Sequence, residues 1–151
     1  MKLLYRKKKH EKKELSKLMK TLSKKSVSDV KFNWHTISLK YDNKRLKAKV
    51  VMRKHLRWVG EWSYRKNTVH FDDDLLAKDV VPVLVHELVE MYVAKTYNLD
   101  EDKEAHPIAQ IIERRFFREH NKLGLAWPRH EKRVTRVWRK ERKWHNERVK
   151  K

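Results

Sequence analysis

The sequence contains no cysteine, and no apolar run approaches the roughly 18 residues needed to span a membrane. The absence of cysteine excludes a disulfide-stapled scaffold, a thiolate nucleophile and a cysteine-based zinc finger. Any bound metal must therefore be held by histidine and carboxylate side chains. No hydrophobic stretch follows the first few residues, so we expect a cytoplasmic, intracellular protein rather than a secreted or integral membrane one.

The charge of the chain is large and unevenly distributed. Its 151 residues suit one hydrophobic core, and they include 40 Lys and Arg against 20 Asp and Glu, a formal net charge of +20. Residues 1–25 carry a net charge of +9 and residues 114–151 carry +11, whereas residues 71–105 carry −7. An acidic centre between two basic ends indicates separate roles in chemistry and in attachment.

The periodicity of the apolar residues predicts an α+β fold. Residues 2–25 favour a basic helix whose second half is amphipathic. Alternating residues between 27 and 71 predict a small antiparallel sheet of three to four strands, including a hairpin that turns at Asp42 and Asn43. We expect this sheet to pack on a central helix and on a second helix antiparallel to the first, with basic helical arms at both ends of the chain.

The central helix is marked by an apolar stripe that begins at Val80. Asp79 is a candidate N-cap for it, and Asn98 is a candidate C-terminal stop. The second helix is predicted from about His106 to His120, because Pro107 is tolerated in a first turn but would break the interior of a helix.

A candidate metal motif lies on the central helix, in residues 85–90. Residues four apart share one face of a helix, so His86 and Glu90 can aim a nitrogen and an oxygen at one metal ion. Glu87 lies at the edge of that face, where it can hold a metal-bound water and accept its proton. A third ligand must come from elsewhere, and His106 faces the central helix if the two helices pack antiparallel.

Glu113 follows His106 on the same side of the second helix, and it is either a fourth ligand or a partner that orients a ligand. The apolar neighbours of the motif favour a metal, because buried carboxylates without a cation are costly. The alternative is a polar core whose groups satisfy one another without a metal. The other seven histidines, including His130, show no mutual spacing typical of ligands.

Residues 30–117 resemble the zincin-like metallopeptidases. The resemblance is carried by a short strand, the acidic stretch that follows it, and a buried helix with the motif His86-Glu87-x-x-Glu90. In that family the helix carries His-Glu-x-x-His, the first His binds zinc, and the adjacent Glu is the general base. The resemblance therefore implies one zinc ion, with His86 as a ligand and Glu87 as the catalytic base. Glu90 replaces the second His, as in the small His-Glu-x-x-Glu proteins of phage and archaeal type.

The basic C-terminal arm interleaves cations with tryptophan. Lys and Arg neutralise phosphates and Trp offers a face to unpaired bases, so we predict binding of DNA or RNA without sequence specificity. The candidate contacts are Arg129, Lys132, Arg133, Arg136, Trp138, Arg139, Lys140, Lys143 and Trp144. Two alternatives remain: Trp138 and its apolar neighbours are spaced like the inward face of a docking helix, and an acidic lipid or protein would suit the same charge.

These observations divide the chain into a basic helical arm (1–25), a zincin-like metal-binding domain (26–120) and a basic C-terminal arm (121–151). They predict a zinc-dependent hydrolase of the metallopeptidase type, with a peptide or protein substrate, attached to nucleic acid or nucleoprotein by its arms. The competing hypothesis is a non-catalytic nucleic-acid-binding protein on a zincin-like scaffold, with a structural metal or none.

Overall fold

The computed structural model describes residues 12–120 and 127–149 of the chain, and within them the fold is α+β, as predicted. The strands are β1 (Ser28–Phe32), β2 (Thr36–Tyr41), β3 (Lys44–Arg53), β4 (Gly60–Ser63) and β5 (Thr68–Asp72). The α-helices are α1 (Lys12–Lys24), α2 (Ala77–Thr96), α3 (His106–Glu119) and α4 (Trp127–Val149), and a π-helical turn, Glu101–Ala105, precedes α3. None of these helices combines the length and the apolar character that crossing a membrane requires.

The five strands form one sheet in the order β1-β2-β3-β5-β4. Neighbouring strands are antiparallel except β3 and β5, which run parallel with Lys49 opposite Thr68. Because β4 pairs only with β5, it is an edge strand of the sheet. The predicted sheet of three to four antiparallel strands is therefore one or two strands too small, and the parallel pair was not predicted.

Two tight turns separate the first three strands, and only one of these turns was predicted. Asp42 and Asn43 have φ angles of 55° and 58°, which form the predicted two-residue hairpin between β2 and β3. A second reversal was not predicted: Asn33 Oδ1 accepts hydrogen bonds from the backbone N–H groups of His35 and Thr36, at 3.0 and 2.8 Å. This side-chain turn separates β1 from β2.

Helix α2 forms the centre of the core, with Leu84, Val85 and Val89 completely buried. The helix begins at Ala77, so the prediction of Asp79 as its N-cap is wrong, and the Asp79 carboxylate lies in the first turn. The predicted stop at Asn98 is confirmed, because this residue takes a left-handed φ of 55° directly after the helix ends.

Helix α1 packs on the core through the half that was predicted to be amphipathic. Leu22 is 1% exposed, and its carbonyl accepts a 2.7 Å hydrogen bond from the Tyr41 hydroxyl. Arg115 of α3 donates to the carbonyls of Ser23 and Lys25, at 2.8 Å each. The rest of the predicted N-terminal arm, residues 1–11, lies outside the described residues.

The Asp42 carboxylate joins the β2–β3 turn to both neighbouring helices. It accepts hydrogen bonds from the hydroxyls of Tyr92, at 2.8 Å, and Tyr97, and it forms a 3.1 Å ion pair with Lys25. Burial acts to raise the pKa of Asp42, but the hydrogen bonds from Tyr97, Tyr92 and Lys25 outweigh it and lower the pKa. The ionised carboxylate therefore stabilises the folded state.

We predict that Asp42→Asn lowers the free energy of unfolding at pH 7 by about 1–3 kcal/mol, the range for hydrogen bonds to charged groups. The folded-state pKa is depressed, so this stabilisation is present above the unfolded value of about 3.9 and is lost as the pH falls through the folded value. The difference between wild type and variant should therefore shrink below pH 4.

Urea denaturation at pH 7, 5 and 3 measures the effect. Asp29→Asn is the matched control, because Asp29 pairs with Arg45 at the surface and its loss should cost less than about 1 kcal/mol. Parallel pH profiles for wild type and Asp42→Asn would contradict the prediction.

Candidate metal centre

Three predicted ligands from two helices meet at one point. His86 Nε2 lies 2.9 Å from Glu90 Oε2 and 3.1 Å from His106 Nδ1, and the last two atoms are 2.9 Å apart. His86 and Glu90 occupy successive turns of α2, and the π-helical turn brings His106 to the first position of α3. The expected convergence of His86, Glu90 and His106 is thus present, and these residues form a group that could hold a metal ion.

The geometry of this group suits zinc. A tetrahedral zinc ion with bonds of about 2.0–2.1 Å separates its ligand atoms by about 3.3 Å, only slightly more than the distances between these three atoms. The side chains of His86 and Glu90 are each 6% exposed, whereas the side chain of His106 is 54% exposed and lies on the solvent side of the group. Two nitrogens and one carboxylate oxygen are a donor set typical of a zinc site with one position left for water.

Glu113 is placed to orient a ligand rather than to act as one. Its Oε1 lies 2.8 Å from His86 Nδ1, so the imidazole donates to Glu113 and directs its other nitrogen, Nε2, to the candidate metal position. The other oxygen, Oε2, lies 2.7 Å from His130 Nε2. Both Glu113 oxygens are therefore occupied, which favours the orienting role over that of a fourth ligand.

Glu90 is oriented in the same way by a residue that the sequence did not single out. Trp62 on β4 donates a 2.9 Å hydrogen bond from Nε1 to Glu90 Oε1, which leaves Oε2 directed at His86 and His106. The only signal for this contact was that Trp62 belongs to a strand next to the acidic stretch.

His130 of α4 continues the chain of contacts behind the metal ligands. It is completely buried, and its Nδ1 lies 2.8 Å from Asp79 Oδ1. Arg133 donates two hydrogen bonds to the same carboxylate, from Nε to Oδ2 at 2.8 Å and from Nη2 to Oδ1 at 2.7 Å. Because both nitrogens of His130 face carboxylates, both donate, and this imidazole is positively charged.

The buried contacts shift the pKa values of this network in the expected directions. Burial opposes the charge on His130, but hydrogen bonds to Asp79 and Glu113 outweigh it and raise its pKa. The pKa of Asp79 is lowered, because hydrogen bonds from Arg133 and His130 outweigh the effect of burial. Asp79, Glu113, His130 and Arg133 thus form two opposite-charge pairs with their hydrogen bonds satisfied.

The pKa values in the ligand group show that the site stabilises positive charge. Burial acts to lower the pKa of His86, yet Glu113 and Glu90 raise it well above its ordinary value. Burial raises the pKa of Glu90, but hydrogen bonds from His106 and His86 outweigh this and lower it to about 2. A bound cation would take the place of the protons that these residues share.

Glu87 lies beside the ligand group but outside it. Its Oε2 is 3.8 Å from His86 Nε2, and burial raises its pKa to about 8, although the charge on His86 acts to lower it. Gly60 at the start of β4 makes room for this side chain: a Cβ there would lie 2.8 Å from Glu87 Cγ and 2.9 Å from Val83 Cγ1. Glycine is therefore required where the edge strand crosses α2.

A cavity of about 640 Å³ opens over the ligand group. The edge strand β4 contributes one wall, and α4 contributes another through Val134, Thr135 and Trp138. Trp138 stacks on Trp58 with ring centroids 6.2 Å apart. The buried Glu87, Glu90, Glu113 and His86 line this cavity, together with the more exposed His106.

Helix α4 has an inner face that docks on the domain and carries several of the predicted nucleic-acid contacts. Arg133 binds Asp79, Trp138 stacks on Trp58, and Trp144 stacks on His55 with centroids 3.9 Å apart. Val134 and Val137 pack against the core. This arrangement matches the docking alternative that was considered for this helix.

The outer face of α4 carries the other predicted contacts. At 3.6 residues per turn, five of these side chains fall within about 80° of arc, opposite the docked face. They are exposed, and we call them the basic stripe: Arg129, Lys132, Arg136, Arg139 and Lys143. Lys140 lies beside the stripe and forms a 3.3 Å ion pair with Asp74.

Comparisons of the chain with protein-family models, with curated proteins and with solved structures found no match. The resemblance to zincin-like metallopeptidases therefore stays a prediction, and the site has to be judged on its own geometry.

We predict that Glu113→Gln lowers the affinity for zinc about 10- to 100-fold, the usual effect of removing a group that orients a histidine ligand. The amide can still accept from His86 but then presents N–H groups to His130, which also donates. Competition with a chromophoric zinc chelator measures the affinity. Glu119→Gln, at an exposed position of the same helix, is the control, and equal affinities for the two variants would contradict the assigned role.

Proposed function

We propose that this protein is a zinc-dependent hydrolase of the metallopeptidase type. The observation that carries the proposal is the meeting of His86 Nε2, Glu90 Oε2 and His106 Nδ1 within 3.1 Å of one another, beside the carboxylate of Glu87. Zinc, when bound by these residues, lowers the pKa of a coordinated water towards neutrality and polarises a carbonyl oxygen.

Glu87 is the proposed general base. It lines the same cavity as the ligands without belonging to their group. Burial raises its pKa, but a cation bound beside it would favour the ionised carboxylate, which could then accept a proton from water at the open side of the cavity. Contacts with Glu113 and Trp62 hold His86 and Glu90 in position, which keeps the ligand atoms fixed during turnover.

A peptide is the substrate that the cavity suits best. Strand β4 is an edge strand, and Gly60, Glu61 and Trp62 of this strand line the cavity. An edge strand presents unpaired backbone N–H and C=O groups, to which an extended peptide can add as a further strand. The exposed Trp58 offers an apolar surface for a substrate side chain at the rim of the cavity.

The basic stripe of α4 is the proposed attachment surface for DNA or RNA. Five exposed cations on one helical face can neutralise phosphates, and the docked inner face fixes the helix so that they point outward. Nucleic acid as the partner implies an intracellular protein.

The competing proposal is a nucleic-acid-binding protein in which the metal is structural or absent. Two observations favour it: no residue of the basic stripe belongs to the ligand group, and α4 with Trp138 closes one side of the cavity. The two proposals differ in their expectation for Glu87→Gln: this substitution should abolish hydrolysis if the protein is a hydrolase, whereas it should have no effect on a protein that catalyses no hydrolysis.

We predict that the purified protein contains close to one equivalent of zinc and that His86→Ala removes it. Glu87→Gln should keep the zinc and lower the hydrolysis of a quenched-fluorescent peptide library at least about 100-fold, since it removes the general base. Elemental analysis and initial rates measure the two effects.

Glu101→Gln is the matched control, because Glu101 lines the same cavity but lies outside the ligand group. It should change the rate little. Protein without metal would exclude the metalloenzyme, whereas zinc with the same rate in wild type and Glu87→Gln would leave the competing proposal.

For the basic stripe, we predict that the triple variant Lys132→Gln, Arg136→Gln, Arg139→Gln binds nucleic acid more weakly. If each residue contacts a phosphate, the slope of log affinity against log salt should fall by roughly 2–3. Fluorescence anisotropy with labelled single-stranded and duplex oligonucleotides measures the slope. Lys44→Gln, Lys47→Gln, Lys49→Gln removes the same charge from the exposed face of β3 as a control, and an equal loss in both variants would contradict a specific role for the stripe.

A further inference from the structure

A second group of carboxylates lies where β5 ends and α4 passes over it. Asp72 is the last residue of β5, Asp74 follows in the next turn, and Glu141 comes from the middle of α4. One carboxylate oxygen from each of the three lies within 4.8 Å of the others. None of these residues belongs to the proposed zinc centre.

Two of these carboxylates are buried and incompletely bonded. Asp72 is 0% exposed and Glu141 is 1% exposed. Among the residues that the structure describes, Asp72 Oδ2 and Glu141 Oε1 have no hydrogen-bond partner. Unpaired buried oxygens of this kind are rare, because each loses its water without receiving a donor in exchange.

The known partners of the group compensate only part of its charge. Asp72 Oδ1 accepts a 2.9 Å hydrogen bond from the N–H of Asp74, and His55 Nδ1 lies 3.0 Å from Glu141 Oε2. Lys140 reaches Asp74 Oδ2 at 3.3 Å, but its side chain is 67% exposed. Three ionised carboxylates against the ammonium of Lys140 leave an excess of two negative charges, or of one when His55 is protonated, and a divalent cation can neutralise either.

We propose that Asp72, Asp74 and Glu141 bind a hard divalent cation, calcium or magnesium. Ligands that are all oxygen suit these ions, whereas the zinc centre supplies two imidazole nitrogens. Asp74 has a side chain 33% exposed, so it gives the ion an entrance and leaves positions for water. Backbone or water oxygens complete the coordination, as is usual for both ions.

Electrostatics of the group agree with this assignment. Burial raises the pKa of Asp72 and also that of Glu141, and a hydrogen bond between Glu141 and Asp74 raises the pKa of Glu141 further while it lowers that of Asp74. Without a cation, the charged forms of these two residues are therefore unfavourable, and a bound ion would restore them.

The cation would tie α4 to the end of the sheet. Glu141 is three turns along α4 from His130, which anchors the first part of the helix. The basic stripe lies on the opposite face, so an ion held by Glu141 would fix the stripe without competing for its charges.

Calorimetric titration of calcium chloride and magnesium chloride into the full-length protein tests the proposal. We expect one saturable event, which Glu141→Gln weakens at least 10-fold and His86→Ala leaves unchanged. Terbium luminescence provides the location: Trp144 stacks on His55, which contacts Glu141, so terbium in this site should be sensitised and Trp144→Phe should reduce the signal.

Lys140→Met provides a second measurement in case Glu141→Gln does not fold. Removing the ammonium that competes for Asp74 should tighten binding several-fold, whereas Lys132→Met, the same change two turns away on α4, should alter it much less. Absence of saturable binding, or binding that Glu141→Gln leaves unchanged, would overturn the proposal; the first result would instead indicate a proton shared between Glu141 and Asp74.

Discussion

His130 lies enclosed between the carboxylates of Asp79 and Glu113, and this arrangement sets the position of both the candidate metal ligands and α4. Through Glu113, it fixes the ring of His86 and hence the direction of Nε2. Through Asp79 and Arg133, it holds the first turns of α4 against the start of α2. Removing either partner would leave a buried charge uncompensated, a loss of about 3–5 kcal/mol in comparable pairs.

The part of this site that could be predicted from sequence is the part governed by local geometry. The spacing of His86 and Glu90 places both on one helical face, and the short connection after Asn98 brings His106 back to them. Regular periodicity likewise revealed α2 and α3. These contacts follow from rules that operate over a few residues.

The contacts that escaped prediction link distant parts of the chain. His130 and Asp79 are 51 residues apart, and Trp62 and Glu90 are 28 apart. Nothing in their local sequence signals a partner, because each pairing depends on how helices and sheet pack. The reversal at Asn33 was missed for the opposite reason: one side chain's hydrogen bonds overrode an alternating pattern.

Helix α4 also shows why composition alone could not assign its basic residues. Cations occur on every side of the helix, so Arg133 could not be distinguished by sequence from Arg136. Docking separates them: Arg133 binds the buried Asp79, and Arg136 remains exposed in the basic stripe. The basic residues of α4, which the sequence alone could not tell apart, thus divide into those that stabilise the fold and those that are exposed to solvent.

The place of His130 in the chain has a consequence for biosynthesis. A ribosome makes α2 and α3 before α4, so the three proposed zinc ligands emerge before the histidine that supports them. Until α4 has been made and has docked, Glu113 lacks one partner and the cavity lacks one wall. The proposed catalytic site would therefore be completed only after α4 has been made and has docked, which would keep a nascent chain without this helix from acting as an active hydrolase.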